Sequence, residues 1–314
     1  MNNENVKNGE ILFVYEAKMA NPNGDPDNEN IPRMDFSTNT NLVSDVRLKR
    51  YIRDYFIDNG NPEKDDIFVK RVSKVQNATE RAKEFNLNGN GKVEEEELRQ
   101  NILEKCIDIR MFGATITLKA KKESDSPKEK GSSIQLTGPI QFSWGYSLNK
   151  VEIVNSNSIT TTFSSEQGKS AGSMGKDYRV YYSIIAFYGT ISAKRAIKAN
   201  LSLNDIGRLD EAIIKSIPSQ PTRTKIGQTP LLYLRTEYDS PSFIGDLRDY
   251  IELKPKVKES SIRSRSDYSL DLYNLNKILN IKSGTKVAKF WKHGSSEITG
   301  ITGKEEYIES SDIP

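Results

Sequence analysis

Cysteine, histidine and net charge are all scarce in this 314-residue chain. The single cysteine, Cys106, excludes an internal disulfide and a multi-cysteine zinc site, and the single histidine, His293, excludes paired-histidine metal motifs. Acid-base chemistry would have to rest on carboxylates. Lys and Arg number 46 against 43 Asp and Glu, a net +3, so contact with a polyanion must come from local clustering and not from overall charge. Long apolar runs are missing too: the apolar, uncharged stretch Val180 to Ala193 has 14 residues, too few for a spanning helix and suited to a buried strand. Met1 to Glu10 is polar where a signal peptide would be basic and then apolar, which points to a cytoplasmic setting with no membrane role.

What is present reads as a polar, foldable chain of mixed α and β text. Glu10 to Glu16 is a short β-rich run closed by the turn cluster Asn21 to Asp27. Ser44 then offers an N-cap for a helix to about Asp58, with Leu48, Tyr51, Ile52, Tyr55 and Phe56 on one face. Pro62 to Met111 is charged, helical text, and further strands are predicted at Ala114 to Leu118, Ile134 to Tyr146, Val180 to Ala193 and Pro230 to Tyr238. Between them lie a polar loop, Lys119 to Lys130, a Ser/Thr/Gly-rich hairpin or loop, Asn155 to Lys176, and a helix opened by Ser202. The β-α-β-β-α-β order is that of a ferredoxin-like α+β domain with large insertions. After Leu253 the text reads as a basic linker, a short amphipathic piece and a Gly/Ser-spaced tail.

The helix after Ser44 is the most informative element. Arg47, Lys49, Arg50 and Arg53 fall between about 100° and 260° from Leu48, away from the apolar side. A hydroxyl-capped helix start with guanidinium forks nearby suits a phosphate chain, while a solvated basic face is the plainer reading. Asn21 to Asp27, with Arg33 and Asp35, forms a polar loop where ligand sites are common; its aspartates match no octahedral metal pattern and fit Asx-turns. Asn86 to Glu97 matches the twelve-residue calcium loop in spacing, but asparagines stand at its first, third and fifth positions, so micromolar calcium binding is not expected. Lys169, Met174, Lys176 and Arg179 lie among glycines that allow close backbone approach to a phosphate chain, or form an ordinary surface loop.

Several segments resemble one family together: Ile11 to Asp27, Asn41 to Asp54, Cys106 to Gly113, Thr137 to Gly145, Met174 to Arg179, Ala186 to Gly189 and Ile244 to Arg248. They are similar to the backbone subunit of type I CRISPR Cascade complexes, the Cas-seven family, in its I-B subfamily. The resemblance implies a hand-like shape. An RRM-like palm would come from residues 1–58, 112–153 and 179–253, a helical finger lobe from 59–111, a thumb from 154–178 and a C-terminal extension from 254–314. It also implies a non-catalytic protein without cofactor or metal that polymerises with copies of itself along guide RNA (crRNA) and supports target DNA recognition. Its other partners would be a small backbone-capping subunit, a large subunit and a guide-processing endonuclease. The RNA-contacting set is Asn21, Asn23, Arg33, Ser44, Arg47, Lys49, Arg50, Arg53 and Arg110, with Lys169, Met174 and Lys176 at the thumb and Arg179 just after it. Two rivals differ in class: a type III-like subunit that cuts target RNA with Asp25, Asp27 or Asp35, and a calcium-responsive adaptor.

Overall fold

The first strand, β1 (Gly9–Ala20), is apolar at consecutive positions because both of its faces are covered. The computed structural model describes residues 5–61, 63–70, 78–85, 95–118, 132–155, 158–160 and 174–301. The predicted loop 119–130, the calcium-like loop up to residue 94 and residues 161–173 lie outside the described residues.

After β1 come two short pairs, β2 (Gly24–Asp25) with β3 (Ile31–Pro32) and β4 (Met34–Asp35) with β5 (Thr40–Val43), and then helix α1 (Asp45–Asn59). A helical lobe follows: α2 (Ala78–Lys83), α3 (Glu95–Lys105) and α4 (Ile107–Phe112). Strands β6 (Gly113–Leu118), β7 (Ser132–Thr137), β8 (Ile140–Phe142) and β9 (Gly145–Ser147) come next. A detached ladder joins β10 (Ser158–Thr160) to β11 (Met174–Lys176), and the long strand β12 (Val180–Ile191) re-enters the main sheet. Helices α5 (Ala193–Lys198) and α6 (Leu203–Ser219) precede β13 (Gln228–Tyr238). The chain closes with β14 (Glu252–Pro255), β15 (Tyr268–Asp271), α7 (Tyr273–Ile281), β16 (Thr285–Lys292) and β17 (Ile298–Thr299).

The main sheet runs β16-β13-β1-β12-β9-β5-β4, with β8 also paired to β12. Each of β13, β1, β12 and β9 is antiparallel to its neighbour, so two β-α-β units interleave, one through α1 and one through α6. Odd-numbered β1 residues Ile11, Phe13 and Tyr15 pack with Leu48, Ile52 and Phe56 of α1 and Leu209 and Ile213 of α6. Even-numbered Leu12 and Val14 pack with Leu247, Ile262, Leu270, Leu275 and Leu279 from the C-terminal segment.

Two glutamates on that second face hold the segment down. Glu10, fully buried, accepts from Tyr188 Oη (2.6 Å), Ile244 N–H (2.9 Å), Gly245 N–H (2.8 Å) and Tyr238 Oη. Glu16 accepts from Arg265 (3.0 Å from Nε) and Tyr182 Oη. These bonds meet the carboxylates' need for donors where water is excluded.

Two sequence expectations change here. The span Ile134 to Tyr146 is three strands and not one, and among the described residues β7 pairs only with β6, as a hairpin whose Ile116 and Ile134 join Phe85, Ile102 and Leu103 in the lobe's own core. The hairpin therefore belongs with the lobe instead of the sheet. Gly113 and Gly138 make this possible: Gly113 has φ +73, and a Cβ there would lie 2.0 Å from the Leu136 carbonyl oxygen. Likewise, the region after Leu253 is no linker. It forms the β14-β15-β17 sheet and α7, and β16 extends the main sheet, because its alternating Tyr268, Leu270 and Leu272 need a partner face. Among the described residues no helix is long and apolar enough to cross a membrane.

Candidate nucleic-acid interface

The start of α1 is built from two loops. Ser44 caps the helix, its Oγ accepting from Arg47 N–H at 3.3 Å. Asn23 holds the cap in turn, because its Oδ1 accepts from both the Ser44 N–H (2.9 Å) and Oγ (3.0 Å). Asn21 fixes the loop behind it by donating from Nδ2 to the Asn30 carbonyl at 2.7 Å. Asn21, Asn23 and Ser44 thus converge on one helix terminus.

The basic face of α1 divides once its neighbours are in place. Lys49 pairs with Asp45 (3.0 Å) and Arg50 with Asp54 (2.7 Å), both i,i+4 pairs on the helix itself. Arg53 is a correction to the sequence reading: it is buried, and its Nε donates to the fully shielded Asp108 at 2.9 Å. Asp108 also accepts from Phe68 N–H (2.8 Å) and Val69 N–H (3.1 Å), so this pair fastens the lobe to α1. Arg110 is a second correction. Its guanidinium forks onto Asp205 (2.9 and 3.1 Å) and donates to the carbonyls of Leu103, Glu104 and Lys64. The wheel arithmetic sees one helix, and it cannot see the lobe that lands on Arg53.

Arg47 differs from the other three. Among the described residues it has no carboxylate partner; its guanidinium lies 3.9 Å from the Tyr51 ring centroid and its Nε is buried without a hydrogen bond. Beside it stands Lys225, which no sequence pattern singled out, since the loop after α6 has neither periodicity nor motif. Burial and the Arg47 charge push the Lys225 amine down to about 7.

The loop aspartates do not converge. Asp25 pairs with Arg33 at 3.1 Å, and the Arg33 guanidinium lies 5.9 Å from the Trp144 ring centroid. Asp35 closes an Asx-type turn, accepting from Ser37 N–H (2.9 Å), Ser37 Oγ (2.6 Å) and Thr38 Oγ1 (2.9 Å), and the Ser37 and Thr38 bonds hold its carboxyl below the usual range. Asp27 is exposed. Among the described residues no group of three His, Cys, Asp or Glu side chains is placed to hold a metal ion.

At the base of the β10–β11 ladder, Lys176 pairs with Glu29 at 2.6 Å, and Tyr178 Oη donates to the same carboxylate at 2.8 Å. Arg179 is engaged internally with Asp177 (2.8 Å), the Met19 carbonyl (2.9 Å) and the Arg223 carbonyl (3.0 Å). It ties the ladder to the end of β1. Lys169 lies outside the described residues, as does the side chain of Met174.

The sequence profile of the family described as CRISPR-associated protein Cas7 matches residues 7–273. A CRISPR-associated protein Cas7 from Haloferax volcanii is 34% identical over 283 residues, covering 86% of this chain and 82% of the relative. The chain belongs to the CRISPR-associated Cas7 family. Among solved structures, a chain of a "CRISPR RNA-guided surveillance complex, pre-nicking" superposes with a TM-score of 0.51 at 10% identity, covering 94% of this chain and 96% of that one. A chain of a second "CRISPR RNA-guided surveillance complex" gives 0.48 at 13% identity, covering 91% and 88%. At such identity the first likeness is one of fold, a mixed α/β architecture dominated by its sheet.

Proposed function

We propose that this Cas7-family chain is a non-catalytic, guide-RNA-binding backbone subunit of a type I-B Cascade complex, assembling with copies of itself along the guide. One observation beyond family membership carries the reading: the capped start of α1, where Asn23, Ser44 and Arg47, which has no carboxylate partner among the described residues, meet at the positive end of a fifteen-residue helix. The β13-β1-β12-β9 order with α1 and α6 on one face supports a ferredoxin-like, RRM-type palm. The lobe with its β6–β7 hairpin is assigned to the fingers and the β10–β11 ladder to the base of the thumb. Because the C-terminal segment covers the second sheet face, RNA is assigned to the end of the sheet and the thumb, not to that face. Target DNA, a capping subunit, a large subunit and a guide-processing endonuclease complete the partners.

Purification of the full chain from cells carrying guide RNA tests this. Co-purifying RNA, seen in the ratio of absorbance at 260 and 280 nm, with regularly spaced nuclease protection supports the backbone role. Protein free of RNA that also leaves added single-stranded RNA unprotected would falsify it. Incubation of the assembled filament with complementary RNA in Mg²⁺ or Mn²⁺ tests the absence of catalysis: periodic cuts lost in Asp25→Ala, Asp27→Ala or Asp35→Ala would make the protein a nuclease.

A further inference from the structure

We propose that Arg47 and Lys225 form a two-cation pocket that holds one backbone phosphate of a single-stranded nucleic acid against the first turn of α1. The inference rests on the RNA-binding reading and adds to it a residue, Lys225, from a loop outside every motif of the sequence.

Three observations build the pocket. The first is charge: Arg47 is close enough to act on the Lys225 amine, and among the described residues neither has a carboxylate partner. Two like charges drawn out of water without an acid are unfavourable, and an anion between them removes the conflict. Second, the pocket is made by tertiary contacts. Lys225 Nζ donates to the Asn21 carbonyl, Gln228 Nε2 donates to Tyr51 Oη (3.0 Å) and to the Lys225 carbonyl (2.9 Å), and Arg47 lies over the Tyr51 ring. Asn21 N–H donates to the Thr224 carbonyl at 2.8 Å, which ties the Lys225 loop to the loop that carries Asn23.

The third observation is unmet hydrogen bonding. Among the described residues, Tyr15 Oη, Asn21 Oδ1, Arg47 Nε and Gln228 Oε1 find no hydrogen-bond partner, while Tyr15, Asn21 and Gln228 are only 1%, 5% and 6% exposed. Tyr15 feels both Arg47 and Tyr51, which places its hydroxyl in the same cluster. Tyr15 Oη and Arg47 Nε are donors that a phosphate oxygen would satisfy; the two amide oxygens would take bridging water. Arg47 and Lys225 remain partly exposed, so both cations can be reached from solvent. A phosphodiester also suits the free N–H groups of the helix start.

Around Lys225, Arg47 from α1 acts on its charge and the Asn21 carbonyl accepts from its Nζ, while Gln228 from β13 links the Lys225 carbonyl to Tyr51, and Tyr51 from α1 and Tyr15 from β1 lie beside Arg47. With its amine near neutrality, Lys225 takes up a proton when the phosphate arrives, and that gives the pocket a signature which an ordinary surface lysine lacks. Fluorescence anisotropy of a 5′-labelled single-stranded RNA with the full chain, from about pH 6 to about pH 9, reads it. Wild-type affinity should fall as pH rises through about 7. Lys225→Met should bind roughly tenfold more weakly at the acid end. Its logarithmic salt slope should be flatter by about 0.7, and the Lys225-dependent part of the pH profile should be absent. Lys225→Arg should keep acid-end affinity and lose that same pH dependence, since guanidinium stays charged throughout.

A scaffolding lysine predicts the opposite pattern, with a lowered thermal midpoint in Lys225→Met and unchanged RNA binding per folded molecule. That result overturns the pocket while RNA binding by the wild type stands. A pH profile in Lys225→Arg identical to wild type also overturns it, even if the methionine variant does not fold. No RNA binding by the wild type at any pH removes the RNA reading itself, and the pocket with it.

Discussion

Arg47 and Arg53 lie six residues apart on one helix and have different fates, decided by what stands opposite each. Arg47→Ala should weaken single-stranded RNA binding and flatten the salt slope by about 0.7, as loss of one phosphate contact does, without altering sequence preference. Arg53→Ala should leave slope and preference unchanged. Its effect belongs to stability, about 3 kcal/mol by denaturant titration, because it strands Asp108 at full burial. His293 sets a pH dependence of its own. Partial burial, and then the Arg265 charge, lower its pKa from the ordinary 6.5. Its folded pKa lies below its unfolded one, so the unfolded chain binds more protons between the two values, and stability present above about 6.5 is lost as pH falls. His293→Gln should remove that part of the decline in denaturant midpoint between about pH 7 and pH 5, and an unaltered decline would exclude His293 as its source.

At the scale of elements, the crossing of Gly113 and Gly138 joins lobe to sheet. A Cβ on Gly138 would lie 2.1 Å from the Phe112 carbonyl carbon and 2.4 Å from Gly113 N, so backbone must move. Gly138→Ala should therefore cost more than about 3 kcal/mol, and hydrogen exchange should localise the loss to β6, β7 and α4 while β1 and β12 stay protected. The asparagines and Ser44 show the converse, a small polar network made by residues close in sequence. Asn23 and Ser44 were readable as loop and cap because turn and capping chemistry is local. Lys49 and Arg50 are readable as basic, yet their pairing with Asp45 and Asp54 leaves Arg47, among the described residues, as the cation of this face without an acid.

For the whole molecule, the covered second face is the consequential feature. Truncation after Leu253 removes Leu270, Leu272, Leu275, Leu279 and Phe290 from a core that includes Leu12, Val14 and Ile184. The truncated chain should lose cooperative unfolding and near-ultraviolet circular dichroism, and bind a hydrophobic dye. Glu10→Gln is the graded version. It puts an amide where four donors converge, and should lower stability by about 2 kcal/mol while speeding proteolysis around 244–261. Equal protease resistance in the variant and the wild type would show that the segment is held by its apolar contacts alone.

By itself the sequence determined the strands and helices whose signals are local. The continuous apolar text of β1 and β12, the serine caps before α1 and α6 and the turn after β1 each declare themselves within about a dozen residues. Segments read from the sequence alone also carried the family. Only tertiary structure decided which cations are available. Arg53 and Arg110 meet Asp108 and Asp205, which are 55 and 95 positions away, and Lys225 meets Arg47 across 178 positions. Whether a charge faces solvent, a carboxylate or another cation depends on the partner that folding brings, and no local pattern encodes a partner at that distance. The same holds for the tail after Leu253: its alternating apolar residues announce a face to be covered, but that it is the second face of the central sheet follows only once β1 is in place.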